Sequence, residues 1–249
     1  MTAETRAPLL IFKLGSTRPE LAARIGDYED WIEQAVAGSG LPVTTLDAHA
    51  CDTLPRPDTL AGVILTGSNH MVTDREAWSE RLRLWLQTAV RGEVPIFAIC
   101  YGHQLLADAY GGTVQARPHG VGIGTTVMER TAAAQTDPLF GTLPRRFPAH
   151  TIHWQTVTAL PEAALRLVHS ELDANQAWRI GPCAWGVQFH PEFPTEAMRF
   201  LVQHHCVRLE EAGLDAADVL AAIVPTPAAS ALLPRFADFC RERWAERQR

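Results

Sequence analysis

The sequence predicts an α/β fold, a three-layer α/β/α sandwich around a mostly parallel central sheet. Three short, largely apolar runs point to it: LLIFKLG at residues 9–15, AGVIL at 61–65 and PIFAI at 95–99. Runs of that length and composition suit strands buried on both faces. Segments of helical period separate them, and such alternation implies parallel strands with a ligand site at their carboxyl ends.

In chain order, residues 9–15 read as the first strand. Pro19 to Ala37 reads as a helix, with Leu21, Ile25, Trp31 and Ala35 on one side. PVTTLDA at 42–48 suits a second strand, and the segment around Pro55 and Pro57 a loop. The third strand ends at Thr66-Gly67-Ser68. Thr73 to Glu76 has the spacing of a capping box, followed by Trp78, Leu82, Trp85, Leu86 and Ala89 on one helical face, more suited to core than to a ligand platform. Gly92 ends that helix and Pro95 opens the central strand. Gly111-Gly112 stops the next helix, after which the pattern turns β-rich through TTVMER and FPAHTIHWQTVTALP. Helical period returns from Thr195 to Gly213, in DAADVLAAIV, and from Ser230 to Trp244, with Leu233, Phe236, Cys240 and Trp244 on one stripe.

The chemistry concentrates in PIFAICYGHQLLADAYGG, residues 95–112. Cys100 stands where the central strand gives way to a helix, so its sulfur is pushed clear of the sheet on a sharp turn. The amides of the helix N-terminus and the helix dipole favour thiolate, the nucleophilic form. Ala98 and Gly102 are small enough for a tight elbow. An isolated cysteine is more often a buried core thiol, but here a second motif answers it. WGVQFHPE, residues 185–192, ends in His190 with Glu192 two residues on. A histidine that moves protons, with a carboxylate to orient its ring and stabilise imidazolium, is what a cysteine nucleophile requires. The candidate triad is Cys100–His190–Glu192.

AICYGHQ and GVQFHPE together resemble the class I glutamine amidotransferases, in particular stand-alone proteins similar to the glutaminase domain of GMP synthase. The resemblance runs from about Leu9 to Gly213. It implies the flavodoxin-like fold of that family and hydrolysis of the glutamine side-chain amide through a cysteinyl thioester, without a cofactor. It places an oxyanion hole at the backbone N–H groups of Gly67 and Tyr101, each donor being worth roughly 3–4 kcal/mol where charge develops on oxygen. TGSN stands here where relatives usually carry a Gly-Gly-Pro type loop. The resemblance also makes Gln104 a substrate-binding residue, with backbone contacts from Gln155 and Thr156. A His-Gly-Asp run of several relatives is replaced around Trp154-Gln155-Thr156, so no carboxylate is supplied there for the substrate ammonium.

Composition sets the remaining bounds. With 249 residues, 22 basic and 28 acidic, the net charge is −6, which gives no electrostatic case for nucleic acid or an anionic membrane. Five cysteines without paired spacing argue against a disulfide framework and fit a reducing cytoplasm. No window approaches a membrane span. His103, His119, His204 and His205 invite a metal reading, but His204-His205-Cys206 are consecutive on a helix and diverge, so no metal site is expected. The expected organisation is a catalytic domain over 1–213 and a helical extension over 214–249 packed on it; that extension could instead offer a surface for homo-oligomer formation or a partner. No nucleotide-binding motif is present, so ammonia would pass to a separate synthetase or acceptor. Two other readings stay open: a γ-glutamyl peptidase using the same triad, and a regulatory protein without catalytic activity.

Overall fold

The computed structural model describes residues 7–118 and 120–249. Strands β1 (Leu9–Lys13), β2 (Val43–Asp47), β3 (Gly62–Leu65) and β4 (Ile96–Ile99) alternate with helices α1 (Pro19–Ile25), α2 (Tyr28–Val36), α3 (Ala77–Arg91) and α4 (Tyr101–Ala109). A β-rich stretch follows: β5 (Thr113–Ala116), β6 (Gly122–Arg130), β7 (Arg146–His153), β8 (Gln155–Ala159), β9 (Leu165–His169), β10 (Ala177–Ile180) and β11 (Ala184–Val187). The chain closes with α5 (Thr195–His204), α6 (Cys206–Glu211), α7 (Ala216–Ala221), α8 (Pro227–Ser230) and α9 (Leu232–Arg247).

Among the described residues one sheet has the order β2-β1-β3-β4-β11-β10-β9-β6-β7, and β5 pairs with β8 in a separate ribbon. Pairing is parallel from β2 to β11 and antiparallel from β11 to β7. Helices on both faces complete the expected α/β architecture. The register Leu65↔Ala98 and Val187↔Ile99 brings the carboxyl ends of β3, β4 and β11 level. The segments that leave those ends therefore emerge side by side, and they begin with Thr66-Gly67, Cys100 and Gln188.

Alternation along the strands builds the two apolar layers. Leu9, Ile11, Ile64, Phe97 and Ile99 pack with Ile32 and Val36 of α2 and with Leu233, Phe236 and Cys240 of α9. Leu10, Phe12, Val63, Leu65, Ile96 and Ala98 face Trp78, Leu82 and Trp85 of α3 and Leu105 of α4. Helix α9 is thus part of the first layer. The Phe236 ring centre lies 5.4 Å from Phe97 and 6.2 Å from Trp185. Phe236→Ala is expected to cost about 3–5 kcal/mol in chemical denaturation, and a loss below about 1 kcal/mol would show that α9 contributes little to the core.

Three helical expectations need correction. Residues 19–37 break at Gly26, whose φ of 87° suits glycine, and Asp27 caps a new helix by accepting from the Tyr28 N–H while its own N–H donates to Asp30. No capping box forms at Thr73–Glu76: Glu76 accepts from Trp78 Nε1 and pairs with His70, and the Thr73 hydroxyl accepts from Gln155 Nε2 at 2.7 Å. Residues 195–213 divide into α5 and α6 at His205.

Candidate active site

Cys100 is the residue between β4 and α4, with φ 50° and ψ −100°. A non-glycine residue in such a conformation stores on the order of 1–3 kcal/mol, which the surroundings must hold. Its N–H donates to Val187 O at 2.8 Å, and its carbonyl accepts from Gln104 N at 3.1 Å. Gly102 makes the elbow possible, because a Cβ there would come within 2.7 Å of Leu65 Cβ. The sulfhydryl lies 3.7 Å from Ile152 O, and both residues line the cleft.

His190 lies just beyond β11, with its N–H fixed on His150 O at 2.8 Å. Its Nδ1 is 2.7 Å from Glu192 Oε1, and both side chains are buried. Burial opposes charge on the ring, but the Glu192 carboxylate and Cys100 prevail and raise its pKa to about 10. The Phe193 ring stacks on it at 4.0 Å, and Tyr28 stacks on Phe193 in turn, which limits rotation of the imidazole.

Gly67 sits against both Cys100 and His190. A Cβ at this position would lie 3.0 Å from His190 Cε1 and 3.6 Å from Cys100 Cβ. The peptide is fixed by the Thr66 hydroxyl, which donates to Gly67 O and accepts from Leu14 N. Among the described residues, neither the Gly67 N–H nor the Tyr101 N–H is taken by a backbone carbonyl. Gly67→Ala should therefore displace the imidazole and lower kcat at least about tenfold, roughly 1.4 kcal/mol; an unchanged kcat would show that the base has room to move.

A cavity of about 580 Å³ opens beside Cys100 and His190, lined also by Tyr101, Gln104 and Gln155, and farther out by Trp154, His205 and Arg208. Gln104 Nε2 donates to Gln155 O at 2.8 Å and to Gln188 Oε1 at 3.0 Å, so its carboxamide is oriented before any ligand arrives. Thr156, on β8 opposite Gln115, is buried but does not line the cavity. Gln188, Tyr28 and Phe193 escaped the sequence reading as site residues, although Gln188 stands inside GVQFHPE and Phe193 directly follows it.

Among the described residues no group of three or more His, Cys, Asp or Glu is placed to hold a metal ion; His119 lies outside them. His103 is fully buried, and burial pushes its pKa down to about 3. No helix of the described residues is long and apolar enough to cross a membrane.

Residues 26–207 match the family described as glutamine amidotransferase class-I. The chain belongs to that family. It is 32% identical over 173 residues to a glutamine-hydrolysing GMP synthase of Bacteroides fragilis, covering 66% of this chain and 32% of the relative. A glutamine-hydrolysing GMP synthase subunit of Methanocaldococcus jannaschii is 31% identical over 149 residues, covering 58% of this chain and 72% of the relative. The chain thus spans about a third of the longer relatives it matches. In structure it is similar to a glutamine amidotransferase of Thermotoga maritima (TM-score 0.70, 22% identity, 96% and 98% of the two chains). A similar protein from Methylobacillus flagellatus gives a TM-score of 0.71 at 24% identity over 97% and 95% of the two chains. At these identities the two structures speak for the fold.

Proposed function

We propose that this class I amidotransferase is a glutaminase with Cys100, His190 and Glu192 as its triad. The observation that carries the reading is the meeting of nucleophile and base over Gly67, at the carboxyl end of the sheet. His190 takes the Cys100 proton, and the thiolate attacks the side-chain amide carbon of glutamine. A C–S bond forms, and the carbonyl electron pair moves to oxygen, where the Gly67 and Tyr101 N–H groups receive it. His190 returns its proton to nitrogen, the C–N bond breaks and ammonia leaves. Water, deprotonated by the same imidazole, attacks the thioester and releases glutamate and the Cys100 thiol. No step calls for a cofactor.

Gln104 and Gln155 bind the glutamyl portion in this reading. The division at Gly213 into a catalytic domain and an appended helical segment, and a cytoplasmic location, belong to the same proposal. The Methanocaldococcus jannaschii relative, named as one subunit of a GMP synthase, supports transfer of ammonia to a separate synthetase. A second reading, hydrolysis of γ-glutamyl peptides, is favoured by the cavity's continuation past the triad to Trp154 and Arg208. Measuring glutamate and ammonia together, from glutamine and from γ-glutamyl peptides, separates the two. Equal yields from glutamine support the glutaminase; glutamate without ammonia, from peptides alone, would replace it with the peptidase.

A further inference from the structure

The outer part of the cleft carries two guanidinium groups that the chemistry at Cys100 does not use. Arg18 stands in the loop after β1, and Arg208 projects from α6; both line the cavity. Among the described residues neither forms an ion pair, although arginines elsewhere, such as Arg75 with Asp108 and Arg117 with Asp173, do. Among those same residues the one carboxylate lining the cavity is Glu211. Two cations without a carboxylate partner therefore face one cleft in a chain of net charge −6.

The two groups line the same cavity although they are 190 positions apart in the chain. Arg208 Cζ lies over the Trp154 ring, 5.5 Å from its centre, and His205 meets the same ring edge-on at 5.2 Å. The His205 pKa is pushed down to about 4, first by burial and then by His204, Arg208 and Arg18, so both guanidinium groups bear on one imidazole. The Arg18 backbone is held in place: its carbonyl accepts from Leu21 and Ala22 at the start of α1, and the Thr17 N–H donates to Asp27 Oδ1 at 2.7 Å. Like charges lining one cleft without an ion-pair partner are a cost in the free protein. An anion that accepts from planar N–H forks offsets it. Both arginines fall outside residues 26–207, the segment that matches the family.

We propose that Arg18 and Arg208 form a carboxylate-binding subsite for the substrate of this cleft, set against the Trp154 ring. The proposal rests on the glutaminase reading for the substrate's glutamyl character. The carboxylate comes either from the α-carbon of the glutamyl group or from the amine side of a γ-glutamyl peptide. A cavity of about 580 Å³ has room for both.

The test is calorimetric binding to the full chain carrying Cys100→Ala. The ligands are L-glutamine, L-glutamine α-amide, γ-glutamylglycine and γ-glutamylglycine amide. The expected result is at least a tenfold weaker Kd when the recognised carboxylate is converted to amide. Adding Arg18→Gln and Arg208→Gln removes that ratio, while Arg208→Lys keeps part of it. A ratio confined to the glutamine pair assigns the α-carboxylate; one confined to the glycine pair assigns the leaving side. Ratios near one before the arginines are changed, ratios unchanged afterwards, or no binding of any ligand would overturn the subsite. Turnover by protein with Cys100 intact is scored separately. Carboxylate-dependent binding without glutamate release would sink the glutaminase reading and leave the subsite standing.

Discussion

Cys100→Ala is expected to lower glutamate release from glutamine by about 10⁴-fold or more, with the fold and melting temperature retained. The magnitude follows from nucleophile removal in other triads, where what survives is catalysis by binding and the oxyanion donors. Alanine fits the site because it fills less space than cysteine beside Gly67 and Ile152. It still has to adopt φ 50°, so the elbow strain persists and stability should change little. The check is a coupled assay for glutamate and ammonia beside a thermal melt. Turnover within tenfold of wild type would eliminate the thioester route. Loss of activity together with a collapsed melting transition would mean that the substitution had destroyed the elbow; Cys100→Ser, nearly isosteric, then serves as the control.

The elbow and the base were legible because each is a local pattern. A strand-length apolar run, a cysteine and a helical period stand next to one another in residues 95–109, and His190 and Glu192 are two positions apart. Their junction needed only the parallel register of β4 and β11, which α/β alternation implies. Features made by distant segments left no such trace. Gln104 finds Gln188, and Arg18 and Arg208 come to line one cavity, across folds of the chain that no periodicity encodes. In the antiparallel half of the sheet the stretches of β6 and β7 read as β-rich, but β9 and β10 were hidden, since they are only five and four residues long and Arg166 and Arg179 interrupt their apolar runs. The break at Gly26 was missed for a different reason: helical period continues across it, and only the Asp27 cap, tied to Thr17 and Lys13, forces a new start.

Glu192→Gln is the second large effect expected. The carboxylate accepts from His190 Nδ1 in a buried site and so keeps Nε2 available for the sulfur. An amide there offers no charge, and its NH₂ can donate to Nδ1 and favour the wrong tautomer. Comparable substitutions in triads cost about 10⁴ in kcat, so a fall of about 10³- to 10⁴-fold is expected here.

The same change should alter how stability depends on pH. In the folded protein the His190 pKa is raised to about 10, against about 6.5 for an unfolded histidine. A raised value means that the folded state holds the proton more tightly. The pairing therefore contributes fully below about pH 6.5 and is lost as pH climbs toward 10. The melting-temperature gap between wild type and Glu192→Gln should accordingly be widest near pH 6 and should narrow steadily toward pH 9.5. A gap that is constant over that range would mean that His190 is not held as imidazolium. His190 would then gain the proton it returns to the leaving nitrogen from the Cys100 thiol during turnover, and the role assigned to Glu192 would reduce to orienting the ring.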